Sequence, residues 1–517
     1  MKGPKIDPMV FWPSFLVLLA VTIPLALNPE AGGAVVNRML GFINYNLDWL
    51  FLVGTLLVFV FLVWLALGRY GNVKLGGPDD EPEFSNFSWI AMLFCAGIGS
   101  SLLYWSIIEP MYYLLWPPFG AESLSAEAAD WAVTYGAFHW GFSAWAIYCI
   151  PTLPIAYAYY VRQIPLRRVS AVVGNVLGPK HTNGLLGKAV DVLIIFGIIG
   201  GVSTSLGLGT PMLSAAIAAV FNIEETMGLR IVIVLIWTLI FSTSVYFGLY
   251  RGIRRLSDIN AYLVLALAAF VLVVGPTAFI LSNSANSMGV LLSNFTRMSL
   301  WTDPVIKSGF PQDWTVFYWA WWVAYALMMG LFVARISKGR TIRELIFAEL
   351  IWGFLGCFMF FGIFGSYSVY LELNGIVPVT AILSEQGAPA AIVAVLQSLP
   401  ASQIVLPIFV MVAFVFLATT LDSSAYVVAS CSTKELKGNE EPALWNRVLW
   451  SLMLAGVALS LMAVGGLSAV QVSSVVVAVP LLAVFALLII SLMKYLKEDY
   501  PDLEQKKLIA VRFKEKQ

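Results

Sequence analysis

Residues 314–322 read Trp314-Thr315-Val316-Phe317-Tyr318-Trp319-Ala320-Trp321-Trp322, four tryptophans in nine positions at the head of a long apolar stretch. The indole face is the strongest cation–π partner among side chains. A run this dense reads as a cage for a ligand that carries positive charge but has no N–H to donate, as a quaternary ammonium does. The competing reading is the aromatic belt found where membrane helices meet water. A belt keeps its rings at one depth, whereas this run climbs about two turns from Trp314 to Trp322, which favours the cage.

The chain around the run is built for lipid. Of its 517 residues 60% are hydrophobic and 12% charged, about half the charge of a soluble domain. Apolar segments fall near 10–28, 49–67, 87–114, 135–160, 190–218, 229–250, 260–282, 314–334, 345–372, 404–430, 445–465 and 472–494. They predict an all-α polytopic membrane protein with twelve transmembrane helices, at roughly 20 residues per span. The third, fifth, ninth and tenth are long enough to be tilted, broken or extended beyond the bilayer. Lys2 and Lys5 precede the first segment without a clear cleavage site, so it is expected to stay as span one. With both termini in the cytoplasm, 26 of the 30 Lys and Arg residues fall inside, leaving Arg38, Arg230, Arg297 and Lys307 outside. Shifting the register by one span reverses most of that asymmetry.

Other classes find little footing. Acidic and basic residues balance at 30 each, which gives no pull toward nucleic acid. Cys95, Cys149, Cys357 and Cys431 lack paired spacing, and two histidines, His139 and His181, are too few for an ordinary histidine metal site. There is no HExxH, Walker A loop or GxSxG elbow. No loop is long enough for a nucleotide domain, so neither an enzyme nor a primary pump is expected, and no organic cofactor.

Three further segments carry polar chemistry. Cys95-Ala96-Gly97-Ile98-Gly99-Ser100-Ser101 disfavours a smooth helix; it either frees carbonyls toward a cavity or lets helices pack closely. In His139-Trp140-Gly141-Phe142-Ser143-Ala144-Trp145-Ala146-Ile147-Tyr148, three large aromatics fall within about 140° of a helix. They form one wall of a box or part of an aromatic core, and His139 reads as satisfying a local hydrogen bond. In Phe416-Leu417-Ala418-Thr419-Thr420-Leu421-Asp422, the hydroxyls are hard oxygen ligands for an alkali cation or bond back to their own helix. Asp422 inside a span needs a partner or a task, such as carrying a coupling proton. Glu109, before Pro110, reads as an acid near a break that ends the helix. Outside the spans, 283–313 has room for a surface helix and 386–400 for a short lid helix.

Together these elements resemble the betaine/choline/carnitine transporter family. The tryptophan run matches its signature and continues into Ala334-Arg335-Ile336-Ser337-Lys338-Gly339-Arg340-Thr341-Ile342-Arg343-Glu344, with His139-Trp140-Gly141 and Glu109-Pro110 in agreement. The resemblance spans essentially the whole chain. It implies the LeuT-type fold of two inverted five-helix repeats, a homotrimer, and a place among the lipids of a bacterial inner membrane. Two helices would occupy 1–86, the first repeat (spans three to seven) 87–283, an outer loop or surface helix 284–313, the second repeat (spans eight to twelve) 314–494, and a short cytoplasmic tail 495–517.

The resemblance also assigns residues. Trp140, Trp145, Tyr148 and Trp322 match the family's aromatic box, while Trp319, Trp321, Tyr325 and Tyr112 would line the pathway or an alternative pose. Thr419 and Thr420 resemble the sodium-dependent branch, in which carbonyls matching Cys95 and Ile98 join the two hydroxyls around one sodium ion. Sodium-independent carnitine antiporters carry an arginine where this chain has Asn260, which favours sodium. Met329 instead matches a methionine typical of those antiporters, and Val202 lacks the hydroxyl of a second sodium site, so one site is expected. Choline carriers tend to have aspartate at the position of Ser101; a neutral serine fits a zwitterion. The expected activity is sodium-coupled uptake of a zwitterionic quaternary-ammonium compound by alternating access, glycine betaine first, then carnitine or a related betaine (a sulfonium analogue included). The alternatives are sodium-independent exchange of carnitine-like substrates and an osmosensor that binds betaine without net transport.

Overall fold

Glycine and proline decide where the apolar segments bend. The computed structural model describes residues 4–96, 99–164, 168–247, 250–434 and 440–501, with the side chains of 241–247, 250–258 and 466 outside that set. Among the described residues the regular structure is helical, apart from isolated bridges between Ile6 and Thr433 and between Lys74 and Thr341. Eight helices among the described residues are long and apolar enough to cross a membrane, or ten if two bent pairs each count as one span. The protein is thus an all-α, polytopic membrane protein.

The first bent pair is Asn86–Ala96 with Ser100–Leu115, whose axes differ by 57° across the Gly-Ile-Gly segment. The second is Ile259–Val274 with Thr277–Leu300, which turn through 109°. Pro276 has no N–H to continue the helix, and Thr277 Oγ1 donates to Leu272 O at 2.6 Å, closing the corner. The surface helix therefore begins at Thr277, earlier than the 283–313 loop expected, and the seventh apolar segment ends as a helix at Val274 rather than near 282. An 18-residue helix, Pro29–Asn46, occupies the first connection; its Asn28 cap and Pro29 are ordinary helix-start signals. The 386–400 segment holds Ala388–Gln397, preceded by a second short helix, Val379–Gln386.

Burial ranks the helices. Of the most apolar stretch of Pro8–Leu27 only 17% is buried, against 72% for Pro311–Ile336, so the tryptophan-bearing helix is the centre of the bundle. It packs on Phe142–Tyr160, while Asn86–Leu115 packs on Ile342–Leu373 and Leu185–Phe221 on Ser402–Cys431. At Gly356 a Cβ would lie 2.3 Å from Phe94 O, so only glycine lets those two helices approach this closely. Three π-helical turns, Pro311–Thr315, Glu349–Gly353 and Phe361–Gly365, interrupt the two central helices. Such turns rotate the residues after them and recur at functional sites.

Candidate functional site

The four box residues converge on Trp322. Its ring centroid lies 4.4 Å from Tyr148, 5.5 Å from Trp140 and 5.9 Å from Trp145. Trp145 and Tyr148 stand three residues apart on Phe142–Tyr160, hence on one face. Trp140 reaches them because the chain breaks there: it caps Ala126–His139, and the next helix starts at Phe142 after an extended Gly141. The expected unbroken 135–160 span is thus two helices, and the break aims Trp140 across the gap. All four rings are at most 8% exposed. They meet in edge and tilted contacts, as ring quadrupoles prefer. Rings this close cover part of one another's faces. Among the described residues Trp322 Nε1 is buried with no hydrogen-bond partner.

Gly353, in the π-helical turn of Ile342–Leu373, forms the floor under Trp145. A Cβ there would lie 2.3–2.5 Å from the indole atoms. Gly353→Ala is expected to push Trp145 off its seat at a cost of about 1–3 kcal/mol and to weaken ammonium binding roughly tenfold. Titration of tryptophan fluorescence with carnitine or glycine betaine measures this; unchanged affinity would separate Trp145 from the site.

Behind the box stands a group whose role the sequence reading misjudged. Glu109 does not end its helix: Ser100–Leu115 continues through Pro110. Its carboxyl accepts hydrogen bonds from Tyr113 OH (2.6 Å), Tyr318 OH (2.6 Å) and Trp140 Nε1 (3.1 Å). His139 Nδ1 lies 3.3 Å from Glu109 Oε1 and 2.8 Å from the Tyr113 hydroxyl, and Nε2 lies 3.0 Å from Thr315 Oγ1. One assignment satisfies these groups: Tyr113 donates to Glu109, His139 Nδ1–H donates to Tyr113, and Thr315 donates to Nε2. That imidazole is neutral, and it stacks on Tyr318 at 4.6 Å. Glu109, Tyr113, His139 and Tyr318 are fully buried. The network ties Ser100–Leu115, Ala126–His139 and the tryptophan helix together and fixes the Trp140 indole. The available signal was an acid inside an apolar segment.

The other candidates are distributed around this core. Trp321 stacks on Phe317 at 5.6 Å, meets Trp140 edge-on at 5.9 Å and donates to Gly201 O at 3.1 Å. Trp319 points elsewhere, against Phe138 at 5.3 Å and His139 at 5.8 Å. Tyr112 joins Trp105, Trp116 and Trp314 in a second aromatic cluster. Trp314 is only 6% exposed and packs on Trp105 and Tyr113, so it is a buried wedge. Ser101 Oγ donates to Ser205 Oγ at 3.1 Å, which lies 2.7 Å from Tyr325 OH. Ser205 was not singled out from sequence, since an isolated serine in an apolar helix carries no pattern. Met329 is half-buried, one turn beyond Tyr325.

The ion-site candidates are less assembled. Thr419 Oγ1 donates to Val415 O and Phe416 O, both at 3.0 Å, and Thr420 Oγ1 to Phe416 O at 2.8 Å, the back-bonding arrangement. Cys95 is half-buried in the last turn of Asn86–Ala96, and Ile98 lies outside the described residues. Asp422 is 3.5 Å from Arg447, so its charge has a partner. Asn260 donates to Val412 O at 3.1 Å, and Val202 is fully buried.

Residues 9–501 match the sequence pattern of the family described as BCCT, betaine/carnitine/choline family transporter. A protein named "Carnitine transporter" from Acinetobacter baumannii is 40% identical over 387 residues, which cover 75% of this chain and 70% of that protein. A solved structure of a Na+-coupled sialic acid symporter, in a substrate-bound outward-open state, has 13% identity and a TM-score of 0.35 over 82% of both chains, a likeness too slight to fix the fold. The buried tryptophan helix, the ring cluster on it and a family match over nearly the whole length agree: the chain belongs to the betaine/carnitine/choline transporter family.

Proposed function

We propose that the protein takes up a zwitterionic quaternary-ammonium compound, carnitine or glycine betaine, by sodium-coupled symport. The observation that carries this reading is the convergence of two indoles and a phenol on Trp322, because such faces hold a charge that offers no hydrogen-bond donor. The unpartnered Trp322 N–H offers a donor to the substrate's carboxylate. The relative's name brings carnitine level with glycine betaine, and the Ser101–Ser205–Tyr325 hydroxyl chain offers a longer betaine further partners. The path runs by alternating access between twelve spans in two inverted five-helix repeats. The reciprocal packing of Asn86–Leu115 on Ile342–Leu373 and of Pro311–Ile336 on Phe142–Tyr160 supports that symmetry. The functional unit is a homotrimer in a bacterial inner membrane with both termini cytoplasmic, as the basic residues favour.

Sodium would be held by Thr419 and Thr420 after their hydroxyls turn from their own helix, together with carbonyls of Cys95 and Ile98. The test is uptake of labelled carnitine and glycine betaine into proteoliposomes under an imposed sodium gradient. Symport predicts accumulation that follows the gradient. Replacing both threonines, Thr419→Ala with Thr420→Ala, is expected to raise the sodium concentration for half-maximal uptake about tenfold or more, the effect of losing two hydroxyl ligands at roughly 1 kcal/mol each. Unaltered sodium dependence moves the ion elsewhere. Met329 favours a second reading, sodium-independent exchange, for which internal substrate accelerates uptake while sodium does nothing. Binding without flux would leave the osmosensor.

A further inference from the structure

Two carboxyl groups are buried against the aromatic box, and their surroundings differ. Glu109 is saturated with donors. Glu349 is equally buried, with no exposed surface, yet among the described residues its Oε2 has no hydrogen-bond partner. Its Oε1 makes only a long 3.5 Å contact with the Thr152 hydroxyl, which already donates to Tyr148 O at 2.8 Å, and the carboxyl meets the Cys149 thiol. The described ion pairs do not include it. A carboxyl this poorly served inside a membrane protein is costly to keep and marks function rather than packing.

Its position is set by two helices. Trp145, Tyr148 and Thr152 follow i, i+3, i+7 spacing and so share one stripe of Phe142–Tyr160. Thr152 is one turn beyond Tyr148, about 5.4 Å further along. The π-helical turn Glu349–Gly353 runs antiparallel to that stripe: Gly353 floors Trp145, and Glu349 meets Thr152. Glu349 thus stands one turn from the box, at the opposite end from the Glu109–Trp140 contact.

We propose that Glu349 is an anionic subsite for the quaternary-ammonium head, adjoining the box on the side away from Glu109. This inference rests on the box being an ammonium site. A quaternary ammonium donates no hydrogen bond, so what it needs from a partner is charge within a few ångströms. The arriving ammonium supplies the positive charge that holds Glu349 ionised, and Oε2 is open to it with no donor already upon it among the described residues. Glu109 keeps its charge, but three donors occupy its oxygens and leave neither open to the head. A net cation depends on such a counter-charge more than a zwitterion, which brings its own.

The test uses the full-length protein in proteoliposomes, with tetramethylammonium as the probe and labelled carnitine or glycine betaine as the reporter. In Glu349→Gln the inhibition constant of tetramethylammonium is expected to rise about tenfold or more, with the KM of the zwitterion changing less than threefold. Glu349→Asp, which keeps the charge one methylene further away, is expected to fall between the two proteins. An unchanged inhibition constant in Glu349→Gln overturns the proposal. So does an equal loss for cation and zwitterion, which would make Glu349 a support for the box. Loss of the pH dependence of uptake with the inhibition constant preserved would assign the carboxyl to a proton and also overturns it. If Glu349→Gln does not give folded protein, the aspartate variant decides, and an inhibition constant equal to the parent's is then the overturning result. A parent protein that binds no quaternary ammonium defeats the functional reading instead, a result distinct from all of these.

Discussion

Glu109→Gln is expected to cost the transporter at least thirtyfold in uptake efficiency, with a matching loss of ammonium affinity. The reason is donor arithmetic. Two O–H groups and one N–H converge on the two oxygens of Glu109, and an amide replaces one of those oxygens with a donor. At least one of Tyr113, Tyr318 and Trp140 then faces an N–H in a fully buried site. Hydrogen bonds to a charged group contribute about 1.5–3 kcal/mol each, and an unsatisfied buried donor adds a similar penalty. A loss of about 2 kcal/mol is a factor of roughly thirty. The affected residues include Trp140, whose indole is aimed at the box only by this bond and its ring neighbours. The variant should therefore raise KM as well as lower the maximal rate. Glu109→Leu should lower thermal stability further, since it abandons all three donors. The measurements are uptake kinetics in proteoliposomes and thermal unfolding in detergent. Affinity and uptake within twofold of the parent would mean that Trp140 holds its place without Glu109.

How much of this was legible in the sequence varies with the physics involved. Helix-periodic spacing placed Trp145 and Tyr148 on one face, because that geometry is local. Their meeting with Trp322 is a tertiary contact, and only the family resemblance pointed to it. Glu109 was misread for a definite reason: proline usually closes a helix, but inside a bundle neighbouring helices tolerate it, and Ser100–Leu115 runs on past Pro110. Indoles at a helix start are common at interfaces, yet Trp314, within the π-helical turn Pro311–Thr315, is buried, a placement that spacing alone does not encode. Hydropathy also carried the seventh segment past the Gly275-Pro276 corner, since residues on both sides of the 109° bend are apolar. The threonines show the converse limit. Sequence identifies the hydroxyls, but whether they face an ion or their own carbonyls is a rotamer choice that no spacing encodes.

Trp322→Leu is the substitution expected to strike the box most directly. Trp322 is the ring that the other three share, so leucine removes a cation–π face and loosens the seats of Trp140, Trp145 and Tyr148. A desolvated cation–π contact is worth about 2 kcal/mol, which corresponds to roughly thirtyfold weaker binding. Lost packing alone would also weaken binding, so affinity for one ligand does not isolate the cause. The carbon isostere of glycine betaine, with the nitrogen replaced by carbon, has the same shape and carboxylate but no positive charge on the head. If Trp322 works through its quadrupole, leucine costs the betaine about thirtyfold and the isostere less than threefold. Equal losses for the two would make Trp322 a packing residue and shift the recognition of charge to Trp140, Trp145 and Tyr148. Trp322→Phe should lie between, because phenylalanine keeps a weaker face and loses the N–H that has no partner among the described residues. A further loss specific to ligands bearing a carboxylate would identify that N–H as a donor to the substrate's acidic end.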